Sequence, residues 1–476
     1  MEPEREFPET TGPDVGRRGT FGAPRAGAGK TSMNGLGALL PVWTVLPFVG
    51  LLLSIAIVPL VFGSWWEHNR NKGIVAALWA APVLLYFPLA HGAAGLHQIG
   101  ENLKEYVSFM ALIGALFVIT GGIVVRGSLS GTPLLNTAFL AIGAVAANLI
   151  GTTGASVLLV RPLLRANEKR ERKTHIFVFF IFVVSNCGGL LTPLGDPPLF
   201  LGFLKGVPFE WTLRLWPEWS IVNGALLILF QIWDQVVFDR EELERPGSQL
   251  EEVQIHEPLR IGGAHNFVFL IGMVVVIFAS GRGVFFAAGE WPTGLREALM
   301  VALAAGAWWT THPDLRRANN FGFGPIYEVA VLFAGIFVTM GPALLALNHR
   351  ASDLGLTQAW HFFWASGVLS SFLDNAPTYL TFAATASGLG GVPLEGRYLA
   401  QYLATGGTAQ TILAAISTGS VFMGANSYIG NGPNFMVKAI AEENGVRMPS
   451  FFGYMAYSVG ILVPLFVLVT LLLFRG

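Results

Sequence analysis

The sequence contains a single cysteine, Cys187, among 476 residues. One thiol excludes an intrachain disulfide, and it excludes a zinc or iron–sulfur site built from several cysteines. Gly29-Lys30-Thr31 resembles the end of a phosphate-binding loop, but the glycine required five residues before Gly29 is replaced by Pro24. We therefore predict no cofactor, and we interpret Cys187 as a small residue that fills space.

Charged residues are also scarce, at 12% of the chain, whereas soluble domains carry about 25%. Hydrophobic residues make up 53%, and runs such as 41–62 and 451–474 are long enough to cross a bilayer, which takes about 20 apolar residues. The net charge of −1 gives no reason to expect nucleic-acid binding. This composition predicts an all-α polytopic membrane protein that lies in a lipid bilayer.

Residues 1–34 have no apolar periodicity and are rich in glycine, proline and arginine. They lack the apolar core and the cleavage site of a signal peptide. The composition of this segment predicts a disordered N-terminal tail.

Glycines and prolines interrupt an apolar run at 185–200, where the sequence reads Ser-Asn-Cys-Gly-Gly-Leu-Leu-Thr-Pro-Leu-Gly-Asp-Pro-Pro-Leu-Phe. We predict a membrane helix that begins, breaks and resumes. In lipid, a broken backbone is tolerated only where it is buried in protein or lines a wet cavity. Broken helices of this kind form the ion and substrate sites of secondary transporters.

The broken stretch recurs 235 residues later, at 420–435, without a gap. Ser185 aligns with Ser420, and Asp196 aligns with the nearly isosteric Asn431. Five identities and this close pair fall within 16 positions, mostly at helix-breaking and polar residues. Paired interrupted segments in two halves of a chain are the best pointer in a sequence to a transport site.

Apolar segments follow the same order in both halves of the chain. Each half has three spans, an interrupted segment, a broken span and a final span, at 41–62, 73–90, 105–125, 133–165, 174–204 and 217–238, and again at 264–280, 295–311, 325–347, 357–387, 405–440 and 451–474. We predict that both interrupted segments are re-entrant hairpins, with tips at 151–154 and 374–378. Each half then has five transmembrane crossings plus one hairpin.

An odd number of crossings makes the second half enter the membrane from the opposite side, so we predict two inverted repeats. The first repeat covers 35–238 and the second covers 261–476, and the acidic segment 239–260 is a cytoplasmic linker. We place both termini outside the cell (inner) membrane. If the tail is left out of the count, 16 basic residues then lie on the inner side and 8 on the outer side. This asymmetry follows the positive-inside rule.

Asp196 and Asp374 are predicted to lie at membrane depth, the first in a break and the second at a hairpin tip. An ionisable residue there is a functional candidate by default, because it is costly unless it is paired or hydrated. Oxygen ligands suit sodium, and burial favours the protonated form of a carboxyl group. One carboxyl group that binds either a proton or a cation would exchange the two. The alternative is that each aspartate caps the helix that follows it.

Amide and hydroxyl side chains are concentrated at the same breaks and tips. They either bind the cation or proton or satisfy backbone groups that the breaks set free, and the sequence leaves both roles open. Glu328, near the start of the span 325–347, either relays protons or extends to the membrane interface. Besides the two aspartates, the candidate ligands are Ser185, Asn186, Asn375, Thr378, Asn148, Thr152, Thr153, Asn426, Ser427 and Asn431.

This arrangement, with these residues, resembles the ion transporter superfamily, which includes NhaD-type sodium/proton antiporters, divalent-anion/sodium symporters, citrate–metal transporters and arsenite pumps. The resemblance covers about 36–476, and its most specific motif is the Asp-Asn-x-Pro-Thr tip at 374–378. It also includes 148–154, Ser185-Asn186, 195–197 and 426–433. It implies a homodimer in which a transport domain moves against a scaffold by an elevator mechanism.

Within that superfamily, the dicarboxylate branch carries a Ser-Asn-Thr triplet at both sites. Here Cys187 follows Ser185-Asn186, and the second site reads Ala425-Asn426-Ser427. Asp196 and Asp374 match the sodium/proton branch instead. The resemblance therefore favours exchange of sodium or another monovalent cation for protons.

Two other functions compete with antiport. Cation-coupled symport of citrate or another carboxylate is the nearer one, although no basic residue lies in either break and two acidic residues repel a polyanion. An intramembrane aspartyl protease is more remote, because Pro193 replaces the first glycine of the Gly-x-Gly-Asp motif and such chemistry requires a matched carboxyl pair. We therefore expect a transporter and not an enzyme.

Overall fold

The computed structural model describes residues 33–128, 130–249, 257–286 and 291–475. Nearly all of the tail predicted to be disordered, 1–34, lies outside the described residues, and its last two residues begin the first helix. Residues 250–256 of the predicted linker also lie outside them.

Helices form most of the described chain, as the composition predicts. Within the described ranges, six helical stretches are long and apolar enough to cross a membrane. The protein is therefore an all-α polytopic membrane protein, as expected. The helices are α1 (Met33–Leu39), α2 (Leu46–Val61), α3 (Gly63–Trp66), α4 (Asn69–Thr120), α5 (Pro133–Ala166), α6 (Thr174–Val183), α7 (Pro197–Leu204), α8 (Trp216–Glu244), α9 (Asn266–Arg282), α10 (Leu295–Thr310), α11 (Pro313–Ala318), α12 (Gly324–His349), α13 (Ala359–Ser370), α14 (Asn375–Leu389), α15 (Tyr398–Ala404), α16 (Gly407–Met423), α17 (Gly432–Glu443) and α18 (Phe451–Leu473).

The helix α4 contains the span predicted at 73–90 and most of the span predicted at 105–125, whose last five residues lie beyond the end of the helix at Thr120. Its 52 residues are interrupted at Gly92, where φ is 53° and ψ is −128°. A side chain at Gly95 would lie 2.2 Å from Phe87 O, although residues eight apart in a straight helix are about 12 Å apart along the axis. The chain therefore bends sharply at Gly92, and α4 consists of two arms.

The helix α5 contains the first predicted hairpin. Its backbone breaks at Gly151, where φ is 77° and ψ is 153°, a conformation open to glycine. Asn136 and Asn167, near its two ends, donate to each other's side-chain oxygens at 2.9 Å. A straight helix would hold these residues about 46 Å apart. The segment is therefore a hairpin that returns to the side from which it starts, with Gly151 at its tip.

The second predicted hairpin consists of α13 and α14, with residues 371–374 between them. At the far end of α14, a side chain at Gly388 would lie 2.0 Å from Asn348 O and 3.0 Å from Ala351 Cβ. Both of these residues precede α13. The chain therefore comes back to the region where the hairpin began.

The two predicted broken spans have matching local structures. The first runs from α6 through a 3-10 turn, Cys187–Leu190, to α7, and the second runs from α16 through a 3-10 turn, Gly424–Asn426, to α17. Asp196 and Asn431 occupy the same extended position before the resumed helix, with φ/ψ of −146°/145° and −150°/139°. The ungapped sequence match thus corresponds to a matched backbone, whereas ten crossings and an inverted relation of the halves stay predictions.

Packing holds the first broken span in place. Every residue of 176–184 is fully buried. A helix that is apolar on all sides must be enclosed by protein or by lipid, and here the protein encloses it. The polar residues Ser185 and Asn186 are therefore delivered to the interior of the molecule.

Two short strands were not predicted. The strands β1 (Val124–Ser128) and β2 (Glu257–Gly262) pair antiparallel, with Arg126 opposite Arg260. Regular structure extends into both ends of the predicted linker, 239–260. The helix α8 continues to Glu244, and β2 begins at Glu257. The boundary predicted at residue 238 therefore falls inside a helix, because the charged residues there continue its exposed face.

A buried polar network joins the base of the first hairpin to α8. Arg170 Nη2 lies 2.8 Å from Asp234 Oδ1, and both side chains are fully buried. His175 Nε2 lies 2.8 Å from the same oxygen, and Asn136 Nδ2 donates to Asp234 Oδ2 at 3.0 Å. Burial without such partners is costly for a charged group. Asp234 therefore fixes the end of the hairpin that is remote from its tip.

Candidate functional site

The carboxylate of Asp196 lies at the centre of the candidate site and is only 1% exposed. The residue occupies the N-cap position of α7, but its side chain makes no capping hydrogen bond. The helix instead begins with two prolines, Pro197 and Pro198, neither of which has an N–H to be capped. Capping, the alternative to a functional role, therefore does not account for this carboxylate.

Three side chains from distant parts of the sequence donate to Asp196. Thr152 Oγ1 donates to Oδ1 at 2.7 Å, and Asn431 Nδ2 lies 3.4 Å from the same oxygen. Asn375 Nδ2 donates to Oδ2. One donor comes from each hairpin and one from the second break. The chain thus brings together four of the candidate residues that the sequence identified.

The tip of the first hairpin is fixed against the first break. Thr152 N donates to Gly195 O at 2.8 Å, next to the carboxylate that the Thr152 hydroxyl contacts. A side chain at Gly195 would lie 2.1 Å from Gly189 O, so the backbone folds back closely on itself there. Glycine is required at such close approaches. These contacts set the position of Asp196 relative to the hairpin.

The two breaks contact each other through asparagine side chains. Asn431 Nδ2 donates to Asn186 Oδ1 at 3.1 Å and to Ser185 O at 3.2 Å. Asn186 Nδ2 donates to Asn434 Oδ1 at 2.7 Å, and the hydroxyls of Ser185 and Ser156 are 2.7 Å apart. Asn434 and Ser156 are not among the residues predicted from the sequence. Asn434 lies one turn after Asn431 and so faces the same way, which is the signal that identifies it.

Asn426 and Ser427 belong to a separate polar group at the tip of the second hairpin. Asn426 Nδ2 donates to Ser371 Oγ at 2.9 Å, and Ser427 Oγ donates to Ser371 O. Ser427 Oγ also accepts from Gly430 N at 3.2 Å. None of these bonds involves Asp196. The structure therefore divides the predicted ligands into two groups.

The second aspartate, Asp374, is a helix cap. Its carboxylate accepts a hydrogen bond from Ala376 N at 3.0 Å, and the residue is half-buried. It interacts electrostatically with Asp196. Thr378 Oγ1 donates back to Asp374 O at 2.9 Å. Asp374 therefore caps α14, as the alternative to a functional role predicted. Its charge also acts on the carboxylate of Asp196.

Asn148 holds the first break together. Its Oδ1 accepts from Leu191 N at 2.7 Å, and its backbone oxygen accepts from Thr192 Oγ1. Asn148 therefore has the role of satisfying freed backbone groups. Thr153 is half-buried and lines a cavity that also reaches Asp196.

A cavity of about 410 Å³ ends at Asp196. It is bounded by the second arm of α4, the tip and second arm of α5, the first break, α17 and the loop before α12. Its opposite end is lined by Arg161, Asn319 and Phe321, on the side that the basic residues predict to be cytoplasmic. The fold thus brings a basic residue to the site, although neither break contains one.

Two buried amide oxygens lie near the tip of the second hairpin, Asn375 Oδ1 and Asn426 Oδ1. Neither has a hydrogen-bond partner among the described residues. Unpartnered buried oxygens are uncommon, and an ion or a water is one explanation for them. No group of three or more His, Cys, Asp or Glu side chains with metal-binding geometry occurs in the described ranges. A transported cation would therefore rely on amide, hydroxyl and backbone oxygens beside one carboxylate.

Glu328 lies outside this site. Its Oε1 is 2.7 Å from Lys72 Nζ, and the Glu328 side chain is 42% exposed while that of Lys72 is 6% exposed. The pair joins the starts of α4 and α12. The ion pair gives Glu328 a structural role.

Broken helices, two hairpins with polar tips and a buried carboxylate at the end of a cavity define a membrane transporter. A family model described as "Putative citrate transport" matches residues 37–474, so the chain belongs to that family. The resemblance to the ion and citrate transporter superfamily is thereby confirmed.

Two curated relatives are similar over most of the chain. An uncharacterized transporter of Mycobacterium tuberculosis and one of Mycobacterium bovis are each 23% identical to it. In both cases the match covers 79% of this chain and 87% of the relative. Both names agree with a transporter.

Proposed function

We propose that this protein is a secondary active transporter that exchanges sodium, or another monovalent cation, for protons at Asp196. The observation that carries the proposal is the set of three donors around this carboxylate, which come from both hairpins and the second break. This carboxylate caps no helix, and it accepts hydrogen bonds from three separate elements of the chain. A change in what it binds therefore acts on all three elements. Proton and cation then compete for one group.

In the exchange, a proton on Asp196 neutralises the charge that otherwise requires the three donors. When a cation replaces the proton, the carboxylate becomes an oxygen ligand, and the free Asn375 Oδ1 is available as a second one. The charge of Asp374 strengthens the attraction for a cation. The candidate ligands Ser185, Asn186, Thr152 and Asn431 complete the polar surroundings.

The movement that accompanies exchange is proposed to be an elevator motion within a homodimer. The two hairpins and the two breaks are hydrogen-bonded to one another and would move as one transport unit. The long helices α4 and α12, which pack against each other, would form the scaffold. We place the protein in the inner membrane with both termini outside.

Cation-coupled symport of citrate or another carboxylate is the second candidate. The specific observations in its favour are the family description and the position of Arg161 on the cavity wall. Guanidinium groups bind carboxylates with strong, charge-assisted hydrogen bonds. In this alternative, cation binding at Asp196 would prepare the site for the anion.

The test uses purified protein in liposomes that contain a pH-sensitive dye, challenged in turn with sodium, lithium, potassium and citrate. We expect sodium or lithium to drive proton movement in the parent protein and the Asp196→Asn variant to lose it. The matched control is Asp239→Asn, which removes an exposed carboxylate of α8. Proton movement in response to citrate alone would favour symport, and equal exchange by Asp196→Asn and the parent would refute a role of this carboxylate.

A further inference from the structure

The cavity next to Asp196 is much larger than a sodium ion requires. Its volume of about 410 Å³ falls within the range typical of small-molecule sites, about 300–1,000 Å³. At about 30 Å³ per water, this is room for on the order of ten to fifteen water-sized groups. A bare cation would occupy only a small part of it.

The walls of this cavity are mainly apolar. Side chains from α4, α5, α7 and the loop before α12 supply aliphatic and aromatic surface, including Leu116, Phe117, Val157, Phe200 and Phe321. Such walls favour a ligand with an apolar body, because burying apolar surface contributes about 25 cal/mol per Å². The same walls are unfavourable for a polyanion, because they would remove water from its charges without supplying hydrogen-bond donors or cations in its place.

A single basic side chain, Arg161, lines the cavity among the described residues. Its Nη1 donates to Asn319 O at 3.2 Å, and within the described part of the chain it forms no ion pair. Glu443, at the end of α17, interacts with Arg161 electrostatically without forming an ion pair, and Arg165, one turn further along α5, carries the same charge. Arg161 therefore has donors left for an anionic group.

The positions of Arg161 and Asp196 define two ends of the cavity. Thr152, which holds Asp196, and Arg161 are nine residues apart on one helical arm, which is about 13.5 Å along its axis. We propose that the cavity binds an organic monocarboxylate with an apolar body, its head group on Arg161 and its body directed toward Asp196. This inference rests on the second candidate function and defines its substrate class.

The arrangement also explains how the anion would be coupled to a cation. An apolar group next to a carboxylate that has no counterion is unfavourable, because it displaces water from the charge. A proton or a sodium ion on Asp196 removes that penalty. Sodium should therefore tighten binding of the monocarboxylate, and the monocarboxylate should tighten binding of sodium by the same factor.

The experiment measures binding by isothermal titration to the purified full-length protein in lipid nanodiscs. The probes are 3-phenylpropanoate, its neutral analogue 3-phenylpropanamide, and citrate. We expect 3-phenylpropanoate to bind at least about tenfold more tightly than either of the others, a difference of about 1.4 kcal/mol. Sodium should strengthen its binding in the parent protein and have no effect in Asp196→Asn.

Arg161→Gln and Arg165→Gln are the matched variants. Loss of about tenfold or more in affinity for 3-phenylpropanoate is expected for Arg161→Gln, and no change is expected for Arg165→Gln, because Arg165 donates to Val125 O outside the cavity wall. A second variant, Val157→Phe, fills the cavity without altering charge and should also abolish binding. Folding of each variant is checked by its elution as a single species.

Three results would overturn the inference: tighter binding of citrate, equal binding of the amide, or unchanged binding by Arg161→Gln and Val157→Phe. Equal binding of the amide would identify the cavity as a site for neutral apolar molecules such as lipid. Proton movement in liposomes is recorded for the same preparations. If 3-phenylpropanoate does not bind while Asp196-dependent exchange persists, only the substrate class is wrong.

Discussion

Asn375, at the start of α14, donates a hydrogen bond to the carboxylate of Asp196, which lies 179 residues earlier in the chain. The bond joins the second hairpin to the first break and so links the two halves at one titratable group. The same amide has a buried oxygen without a partner among the described residues. Asn375 is therefore placed to act both on the carboxylate and on a bound cation.

The first prediction concerns this amide. Asn375→Ala should lower the rate of sodium-driven proton movement at least about tenfold, because Asp196 loses a donor and a cation loses an oxygen ligand. The measurement is dye-reported exchange in liposomes. Asn444→Ala is the control, since its exposed amide bonds only within its own helix end. Parent-like exchange by Asn375→Ala would contradict a role for Asn375.

The second prediction separates the cap of Asp374 from its charge. Asp374→Ala should lower the free energy of unfolding by about 1 kcal/mol, because the bond from Ala376 N is lost, whereas asparagine is an equally good cap. Asp374→Asn should therefore keep parent stability but slow exchange, since a negative charge near Asp196 is removed. Stability is measured by denaturant unfolding in mixed micelles. Unchanged exchange by Asp374→Asn would leave Asp374 with a capping role alone.

The third prediction tests the hairpin tip at Gly151. Its φ of 77° and ψ of 153° lie in a region that only glycine adopts readily, so Gly151→Ala should cost about 1–3 kcal/mol. The strain should also displace Thr152 from Asp196 and slow exchange. Gly224→Ala is the control, because Gly224 lies in a helix with open space around it. Equal stability of the two variants would show that the tip tolerates a side chain.

Sequence patterns identified the irregular segments because each combines several glycines or prolines with polar side chains in one short stretch, whereas most glycines and prolines of the long helices stand singly among apolar residues. The break at 185–200, its repeat and the tip at Gly151 all lie where they were predicted. The pairing of side chains was not predictable in the same way. Asn375 and Asn431 contact Asp196 only because the hairpins and breaks pack together, and that packing depends on shape and not on local composition.

Two further features were hidden for different physical reasons. The sequence made Asp196 and Asp374 equal candidates for helix caps. Only the orientation of each carboxylate in the structure shows that Asp374 caps its helix and Asp196 does not. The strand β1 follows directly after an apolar helix, and its partner β2 lies beyond an acidic segment. Their pairing is a long-range contact, and neither strand alternates clearly enough to be recognised alone.

The fourth prediction is topological. A reporter inserted after Gly247 should be found in the cytoplasm, and a reporter at the C-terminus should be found outside. The 16-to-8 division of basic residues motivates this expectation. Accessibility of both reporters to a membrane-impermeant reagent, before and after permeabilisation, gives the measurement. Both reporters on one side would refute ten crossings in two inverted repeats.

The last prediction concerns the base of the first hairpin. Asp234 accepts from His175 and Asn136 and pairs with Arg170, and these groups are buried. Asp234→Ala would leave the Arg170 guanidinium buried with one carboxylate, Glu241, at 3.1 Å. Breaking a buried pair by removing one partner typically costs about 3–5 kcal/mol. We expect a loss of this size in denaturant unfolding.

The control for Asp234 is the exposed pair of Arg172 and Glu244, whose atoms are 2.7 Å apart on the same end of the molecule. Glu244→Ala should cost roughly 1 kcal/mol or less, because water already solvates both groups. Arg170→Met combined with Asp234→Leu should recover much of the lost stability, since well-packed apolar residues often replace a buried pair without cost. If the double variant is stable but its exchange is slow, the network positions the hairpin for transport. If Asp234→Ala is as stable as Glu244→Ala, the network does not hold the hairpin base.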